Sequence, residues 1–265
     1  MTLIRIATYN LENLDNAPPE GPPLEDRVPV LRASLDELAA DVLCLQEVGA
    51  RRPVGDRKGP RAFEALDAVL HGTRYASYER SASLHRDGHG PMDVQNLVVL
   101  SRFPIVASRQ YWHDLVAPPT HLSATAVPFE PTPQRIEWDR PILHASVALP
   151  DQRRLDVLNL HLRAPTAAFI SGQKLDAARW RTAAGWAEGF YLGAMKRAGQ
   201  ALEARLVVDR ILDADPDSLI AVCGDMNAEA SEMPLRILRS DVDDTGNTFL
   251  AGAALTALEA TVPSS

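Results

Sequence analysis

The sequence predicts an α/β fold in which two mixed β-sheets pack on each other and helices cover them. One observation is a strand-helix-strand pattern near the N-terminus, which a second series of strands echoes from Pro141 onward. Another is that residues 42–45 and 220–223 are apolar without alternation, as strands buried on both faces are. No linker-like stretch separates the two series, so a single domain is predicted over residues 1–265.

The first half is predicted to contain three strands and two helices. Short apolar runs bounded by turn residues predict strands at 3–9, 41–47 and 96–101. Apolar residues at helical spacing predict helices at 30–38 and 63–70. The Pro-rich segment 17–23 cannot be regular structure, and residues 79–95 are predicted to form a polar loop.

The second half repeats this alternation after residues 113–135, a proline-rich stretch that is predicted to be irregular. Strands are predicted at 142–149, 155–161 and 219–225. Helices are predicted at 198–212 and 234–239. Residues 166–196 are predicted to be a mostly helical insertion.

Charge and cysteine content narrow the classes of function. Lys and Arg number 27 against 35 Asp and Glu, a net charge of -8, which argues against a surface that binds polyanions by charge alone. Cys44 and Cys223 lie in apolar runs and are predicted to be reduced core thiols. No transmembrane or signal segment is recognisable, which favours a cytoplasmic protein, with an export signal encoded upstream as the alternative.

Polar side chains cluster at the carboxyl ends of the predicted strands, where rigid side chains can meet in one cleft. They are Asn10, Glu47, Asn159, His161, Asp225 and Asn227. Each alone has an ordinary explanation, such as a solvated cap, a turn former or a buried histidine. Together, their oxygen-rich chemistry suits Mg²⁺ or Mn²⁺ and the hydrolysis of a phosphoester.

Five short motifs in series resemble the endonuclease/exonuclease/phosphatase superfamily over residues 1 to about 240. They are Ile-Ala-Thr-Tyr-Asn at 6–10, Leu-Gln-Glu at 45–47, Asn-Leu-Val-Val-Leu-Ser-Arg-Phe-Pro at 96–104, Asn-Leu-His at 159–161 and Gly-Asp-Met-Asn at 224–227. The resemblance implies a four-layer α/β sandwich, and the histidine of the fourth motif is similar to the branch of deoxyribonucleases, sphingomyelinases and inositol-phosphate phosphatases.

The same resemblance implies roles for the strand-end residues. Glu47 would be the principal ligand of Mg²⁺ (or Mn²⁺), with Asn10 beside it, either bound to the metal or placed next to its ligands. Asp225 would orient or deprotonate the attacking water, and His161 would be one of the imidazoles of the site.

Four further residues would contact the substrate. Asn159 would touch the scissile phosphate, and Asn227 would donate a hydrogen bond to it. Asn96 and Arg140 occupy positions where the family often contacts substrate, although Arg140 has a surface ion pair with Asp139 as an alternative explanation.

The C-terminal part departs from the family pattern. A Ser-Asp-His motif normally ends the family domain, but all seven histidines here precede residue 162. The last strands of the second sheet are therefore predicted to be missing. Three explanations remain: a fragment of a longer enzyme, a complete but inactive protein, or a sheet that a partner chain completes by strand addition.

The resulting expectation is a divalent-metal-dependent phosphoester hydrolase that is incomplete at its C-terminus. The alternative is a catalytically inactive module of the same fold that binds a metal or a phosphorylated ligand. The substrate is left open among small molecules, lipids and nucleic acids. Basic and aromatic residues at 179–191 suit either a substrate-selecting surface or an ordinary amphipathic helix.

Overall fold

The computed structural model of the chain describes residues 3–15, 21–52 and 59–258. The strands are β1 (Ile6–Leu14), β2 (Val42–Val48), β3 (Glu79–Ala82), β4 (Asn96–Ser101), β5 (Ile105–Tyr111), β6 (Thr120–His121), β7 (Gln134–Arg135), β8 (Ile142–Ala148), β9 (Arg154–His161) and β10 (Leu219–Asp225). The α-helices are α1 (Leu24–Leu38), α2 (Glu64–Leu70), α3 (Ala183–Ala214), α4 (Met233–Arg239) and α5 (Val242–Thr245).

The chain divides into two units. The first comprises residues 1–112, 140–161 and 217–225, and the second comprises residues 113–139, 162–216 and 226–265. That residues 1–265 form a single domain stays a prediction.

Two four-stranded mixed sheets form the first unit. Their strand orders are β1-β2-β4-β3 and β10-β9-β8-β5. In each sheet the first pair is parallel and the other two pairs are antiparallel, so the sheets repeat one pattern. This architecture confirms the predicted α/β class with two mixed sheets.

Two apolar cores hold the first unit together. The core between the sheets contains side chains from both, among them Val42, Cys44, Val99, Ala145 and Val157, all fully buried. The opposite face of the first sheet packs against α1 and α2. Burial on both faces explains why β2 and β4 read as continuous apolar runs. Both cysteines are free thiols, as predicted.

The predicted elements differ from the structure in several places. β6 and β7 lie within residues 113–135, which were predicted to be irregular, and α1 begins at Leu24 instead of residue 30. β3 lies in the predicted polar loop and β5 was not predicted, because most of their side chains are exposed and carry no apolar alternation. β1 runs five residues beyond the predicted end at residue 9, through Leu14. The predicted helix at 198–212 begins at Ala183 instead.

The second unit is built on α3, a continuous helix of 32 residues. The helical part of the predicted insertion is the first half of this helix, so it is not a separate element. The first half of α3 packs so closely against the preceding loop that three of its positions have no room for a side chain; they are Gly185, Gly189 and Gly193. Because glycine lowers helix propensity, these residues interrupt the helical pattern in the sequence. The buried Glu203 carboxylate accepts hydrogen bonds from the His113 and Leu115 amides and the Trp138 indole.

β10 forms one edge of the second sheet within the described residues, and all seven of its residues are half-buried. No strand follows it among the described residues up to 258. The alternative in which a partner chain completes the sheet is not supported.

Candidate active site

The candidate active site is the polar end of the core between the two sheets of the first unit. Alternate side chains of each strand face that core. On β1 the series from Ile6 ends in Asn10, and on β10 the series through Cys223 ends in Asp225. On β9 the series ends in His161. The packing that forms the core therefore also aims these groups.

Glu47 reaches the same site through a break in the alternation of β2. Val42 and Cys44 face the core between the sheets, so a regular strand would turn residue 47 to the opposite face. Glu47 instead has a φ of 59°, and the pairing with β4 shifts register between Leu45 and Val48. This left-handed backbone is uncommon for a residue with a side chain and is typical of strained functional positions.

One asparagine joins the two carboxylates. The Asn10 Nδ2 group donates to Glu47 Oε1 at 3.0 Å and to Asp225 Oδ2 at 2.9 Å. The other oxygen of Glu47 accepts from the Asn13 amide at 2.9 Å. The carboxylates come from different sheets, so Asn10 links the ends of both.

His161 lies beside both carboxylates and is almost fully buried. Its Nε2 atom is 3.6 Å from Glu47 Oε1 and 3.8 Å from Asp225 Oδ2. Burial lowers the pKa of His161 to about 4 and the Arg140 guanidinium adds to this, whereas Asp225 and Glu47 oppose it. The imidazole is therefore neutral at pH 7. Its Nδ1 atom is buried without a partner among the described residues.

The donor set fits a small divalent cation. Glu47, His161 and Asp225 each offer a ligand atom, and these atoms lie within 4.8 Å of one another. Carboxylate oxygens are the ligands that Mg²⁺ and Mn²⁺ prefer. Asn10 lies next to these ligand groups: its Oδ1 atom accepts from the Glu12 amide at 2.9 Å, and its NH₂ group faces the carboxylates.

Two predicted substrate contacts are buried and bonded to main chain. Asn159 is 0% exposed, and its Nδ2 group donates to the carbonyls of Leu45 and Val98 at 3.0 Å each. Asn96 is also fully buried and donates at 2.8 Å to the carbonyls of Val48 and Met92. Both side chains join segments of the fold beneath the site.

Arg140 contacts the site from its rim. Its Nε and Nη2 atoms donate to Gln95 Oε1 at 2.9 and 2.5 Å, and its Nη1 atom lies 3.4 Å from the His161 carbonyl. Gln95 carries no distinct signal in the sequence, since it is a polar residue before a strand. Gln46 belongs to the Leu-Gln-Glu motif but was assigned no role, and it donates to Asn159 Oδ1 at 2.8 Å.

Asn227 lies in the second unit. Its Nδ2 group donates to the Leu162 carbonyl at 2.9 Å, and its own carbonyl accepts from Arg197 at 3.0 Å. The contact with phosphate that was expected of Asn227 stays a prediction.

Comparison with known proteins identifies the family. The sequence model of the Endonuclease/Exonuclease/phosphatase family matches residues 7–262. The chain belongs to this family. The family is named for endonucleases, exonucleases and phosphatases, and it generally uses a divalent metal ion.

One of the solved structures compared with the chain, with a TM-score above 0.5, supports the fold. A β-hairpin deletion mutant of β toxin from Staphylococcus aureus has 14% identity and a TM-score of 0.54, and the match covers 92% of this chain and 73% of that one. Truncated TDP2 from Caenorhabditis elegans has 15% identity and a TM-score of 0.48, with 85% of this chain and 63% of that one covered.

A family member from Beutenbergia cavernae has 20% identity and a TM-score of 0.47, with 91% of this chain covered but only 53% of that one. The chain thus spans less than two thirds of this structure and of TDP2. A search of curated proteins found no match. None of the helices in the described part of the chain is long and apolar enough to cross a membrane.

Proposed function

We propose that the chain hydrolyses a phosphoester bond at the Asn10, Glu47, His161 and Asp225 cluster with the help of Mg²⁺ or Mn²⁺. The observation that carries the proposal is the meeting of two carboxylates from different sheets beside one neutral imidazole, in a member of a phosphoesterase family. Two carboxylates at this separation repel each other, so a divalent cation between them is stabilising. When bound, such a cation would neutralise charge on the phosphoryl oxygens.

Glu47 is proposed as the fixed ligand. Both of its oxygens have donors, Asn10 Nδ2 and the Asn13 amide, and its side chain is 16% exposed. A carboxylate held at both oxygens keeps one orientation, which is what a metal ligand needs.

Asp225 is proposed as the group that orients or deprotonates the attacking water. Its side chain is 31% exposed, about twice the exposed fraction of Glu47. Asp225 is therefore the more accessible carboxylate to solvent water. Within hydrogen-bond reach, a carboxylate can accept the proton of a water that attacks phosphorus.

His161 is proposed to act as a neutral hydrogen-bond donor through Nε2. Nε2 faces the carboxylates, and Nδ1 has no acceptor among the described residues. The tautomer with its proton on Nε2 points that proton towards the two carboxylates and avoids a buried Nδ1–H without an acceptor, so it is favoured. From this position the imidazole can donate to a developing phosphoryl charge.

The remaining residues are proposed to support this centre or to contact phosphate. Asn159 and Asn96 hold the strand ends through buried hydrogen bonds, and Arg140 orients Gln95 and the main chain of His161. Asn227 is proposed to donate to the phosphate, as the family resemblance implies.

Hydrolysis of bis(p-nitrophenyl) phosphate tests the proposal. We expect turnover with Mg²⁺ or Mn²⁺, loss with EDTA, and a fall in kcat/KM of at least about 100-fold for Glu47→Gln and for Asp225→Asn. The exposed helical Glu37→Gln is the matched control and should leave the rate unchanged. Melting curves establish that each variant is folded.

Calorimetric titration with Mn²⁺ separates this function from its alternative. Saturable Mn²⁺ binding that Glu47→Gln abolishes, together with turnover, supports the enzyme. The same binding without turnover of any phosphoester would favour a metal-binding module instead. Activity that persists in Asp225→Asn would refute the role given to Asp225.

A further inference from the structure

A cavity of about 280 Å³ lies beside Glu47 in the first unit. Besides Glu47, residues 12–15, Gly49, Arg51, Val94 and Gln95 line it. Its volume is close to the lower end of the range for small-molecule sites, about 300 Å³, and so suits one ring system. Because Glu47 belongs to both, a group in this cavity would be part of a molecule that reaches the proposed active site.

Strained backbone shapes the cavity walls. Four lining residues with side chains have φ between 47° and 59°, namely Glu12, Asn13, Glu47 and Gln95. At the other wall a Cβ on Gly49 would lie 2.7 Å from the Leu14 carbonyl, so only glycine permits this approach of the two chain segments. The cavity is therefore part of the local fold and not a loose surface dimple.

A rigid guanidinium borders this space. Arg51 Nε lies 2.9 and 2.8 Å from the two oxygens of Asp15, and its Nη2 lies 2.6 Å from Asp15 Oδ2. Asp15 is 4% exposed, whereas the Arg51 side chain is 44% exposed. The buried carboxylate thus fixes the plane of the guanidinium and offsets its charge. No aromatic ring among the described residues covers that plane.

The rest of the lining suits a flat polar ring. Val94 is an apolar neighbour that is 46% exposed. Gln95 presents its oxygen to the donor-only Arg140, which leaves its NH₂ group for another partner. Among the described residues that line the cavity, Arg51 is the only cation, whereas three carry a carboxylate. Because the carboxylates repel an anion, a second phosphate is disfavoured there.

We infer that this cavity binds a nucleobase-like aromatic ring of the substrate, stacked on the guanidinium of Arg51 and flanked by Val94. A guanidinium plane is a good surface for a base, and an ion pair with carboxylate does not occupy its faces. The inference rests on the proposed phosphoesterase function and narrows its substrate class to phosphoesters that carry such a ring. Arg51 and Val94 are then specificity residues.

Three p-nitrophenyl phosphate esters test this subsite, with methyl, phenyl or thymidin-5′-yl as the second group. They share one leaving group, so the ratios of kcat/KM report recognition of the second group. We expect the thymidinyl ester to be preferred over the methyl ester by about tenfold or more, with the phenyl ester between them. Equal kcat/KM values for the phenyl and thymidinyl esters would mean that the cavity accepts aryl groups in general. That result would overturn the inference of a nucleobase site.

Two variants probe the subsite independently. Arg51→Lys keeps the charge but removes the plane, and Val94→Trp fills the space from an exposed position. Both should lower the thymidinyl-to-methyl ratio by about tenfold. Arg102→Lys alters another Arg–Asp pair, with Asp41 at the opposite end of β4, and should leave the ratio unchanged. A ratio that stays at the wild-type value in both subsite variants overturns the inference.

Binding without turnover keeps the two proposals separate. Calorimetry compares thymidine 5′-phosphate with deoxyribose 5-phosphate, which lacks the base. Tighter binding of the nucleotide, weakened about tenfold by Arg51→Lys, would support the subsite even if no ester is hydrolysed. Hydrolysis of all three esters at equal kcat/KM would overturn the subsite and leave the phosphoesterase proposal standing.

Discussion

Replacing Asn159 by Ala should destabilise the fold through the loss of three buried hydrogen bonds. Asn159 donates to the carbonyls of Leu45 and Val98 and accepts from Gln46 at 2.8 Å. Each bond contributes about 1 kcal/mol net, and a buried carbonyl left unpaired costs about 1–3 kcal/mol. The expected loss is about 3–5 kcal/mol, which lowers Tm by about 10 °C for a chain of this size.

Urea unfolding followed by circular dichroism measures this loss. Val157→Ala is the matched control, because Val157 faces the same core two residues earlier and makes no side-chain hydrogen bond. Its expected cost is about 2 kcal/mol from lost packing alone. If Asn159→Ala unfolds within about 1 kcal/mol of the wild type while turnover is lost, Asn159 acts on substrate and the bridging role is wrong.

Three further changes test other parts of the structure. Asn10→Ala removes the donor shared by the two carboxylates and should weaken Mn²⁺ binding about tenfold in calorimetry; unchanged affinity would contradict its positioning role. Gly224→Ala should lower the free energy of unfolding by about 3 kcal/mol or more. Gly224 has a φ of 138°, and a Cβ there would lie 2.0 Å from the Leu160 carbonyl oxygen, so the backbone would have to move. A melting temperature within about 2 °C of the wild type would disprove that strain. Burial opposes ionisation of Glu188, but hydrogen bonds from Thr125, His121 and neighbouring groups lower its pKa to about 2. Its charge therefore stabilises the fold fully above pH 4.5, so Glu188→Gln should cost about 2–3 kcal/mol at pH 7 and the difference should vanish as pH falls from 4.5 towards 2.

Sequence patterns predicted the strands that contribute to the core between the sheets well, since their apolar side chains leave a clear signal. β2, β4, β8, β9 and β10 lie within one residue of their predicted bounds. The exposed edge strands β3 and β5 leave no such signal. The helix α3 was divided because glycines in its first half lower helix propensity, while their close packing against the preceding loop depends on tertiary structure.

The site was predictable in its residue types but not in its geometry. Asn10, His161 and Asp225 continue the core-facing alternation of their strands, so the strand assignment alone brings them to one end of the core. Glu47 does not continue this alternation, because strict alternation along β2 would place its side chain on the opposite face of the sheet. The burial of Asn159 was also out of reach, since it depends on carbonyls of another sheet.

The register of the parallel strand pairs determines both the packing of the apolar core and the geometry of the proposed active site. In the parallel pair of β1 and β2, Asn10 lies opposite Gln46, and in that of β9 and β10, His161 lies opposite Asp225. A slip of one residue in either pair would turn its core-facing apolar side chains away from the core. The same slip would separate Asn10 from the carboxylates that it joins at 2.9 and 3.0 Å. The apolar core therefore supplies the free energy that holds two like charges together, and the left-handed backbone at Glu47 is a local strain that this core can sustain.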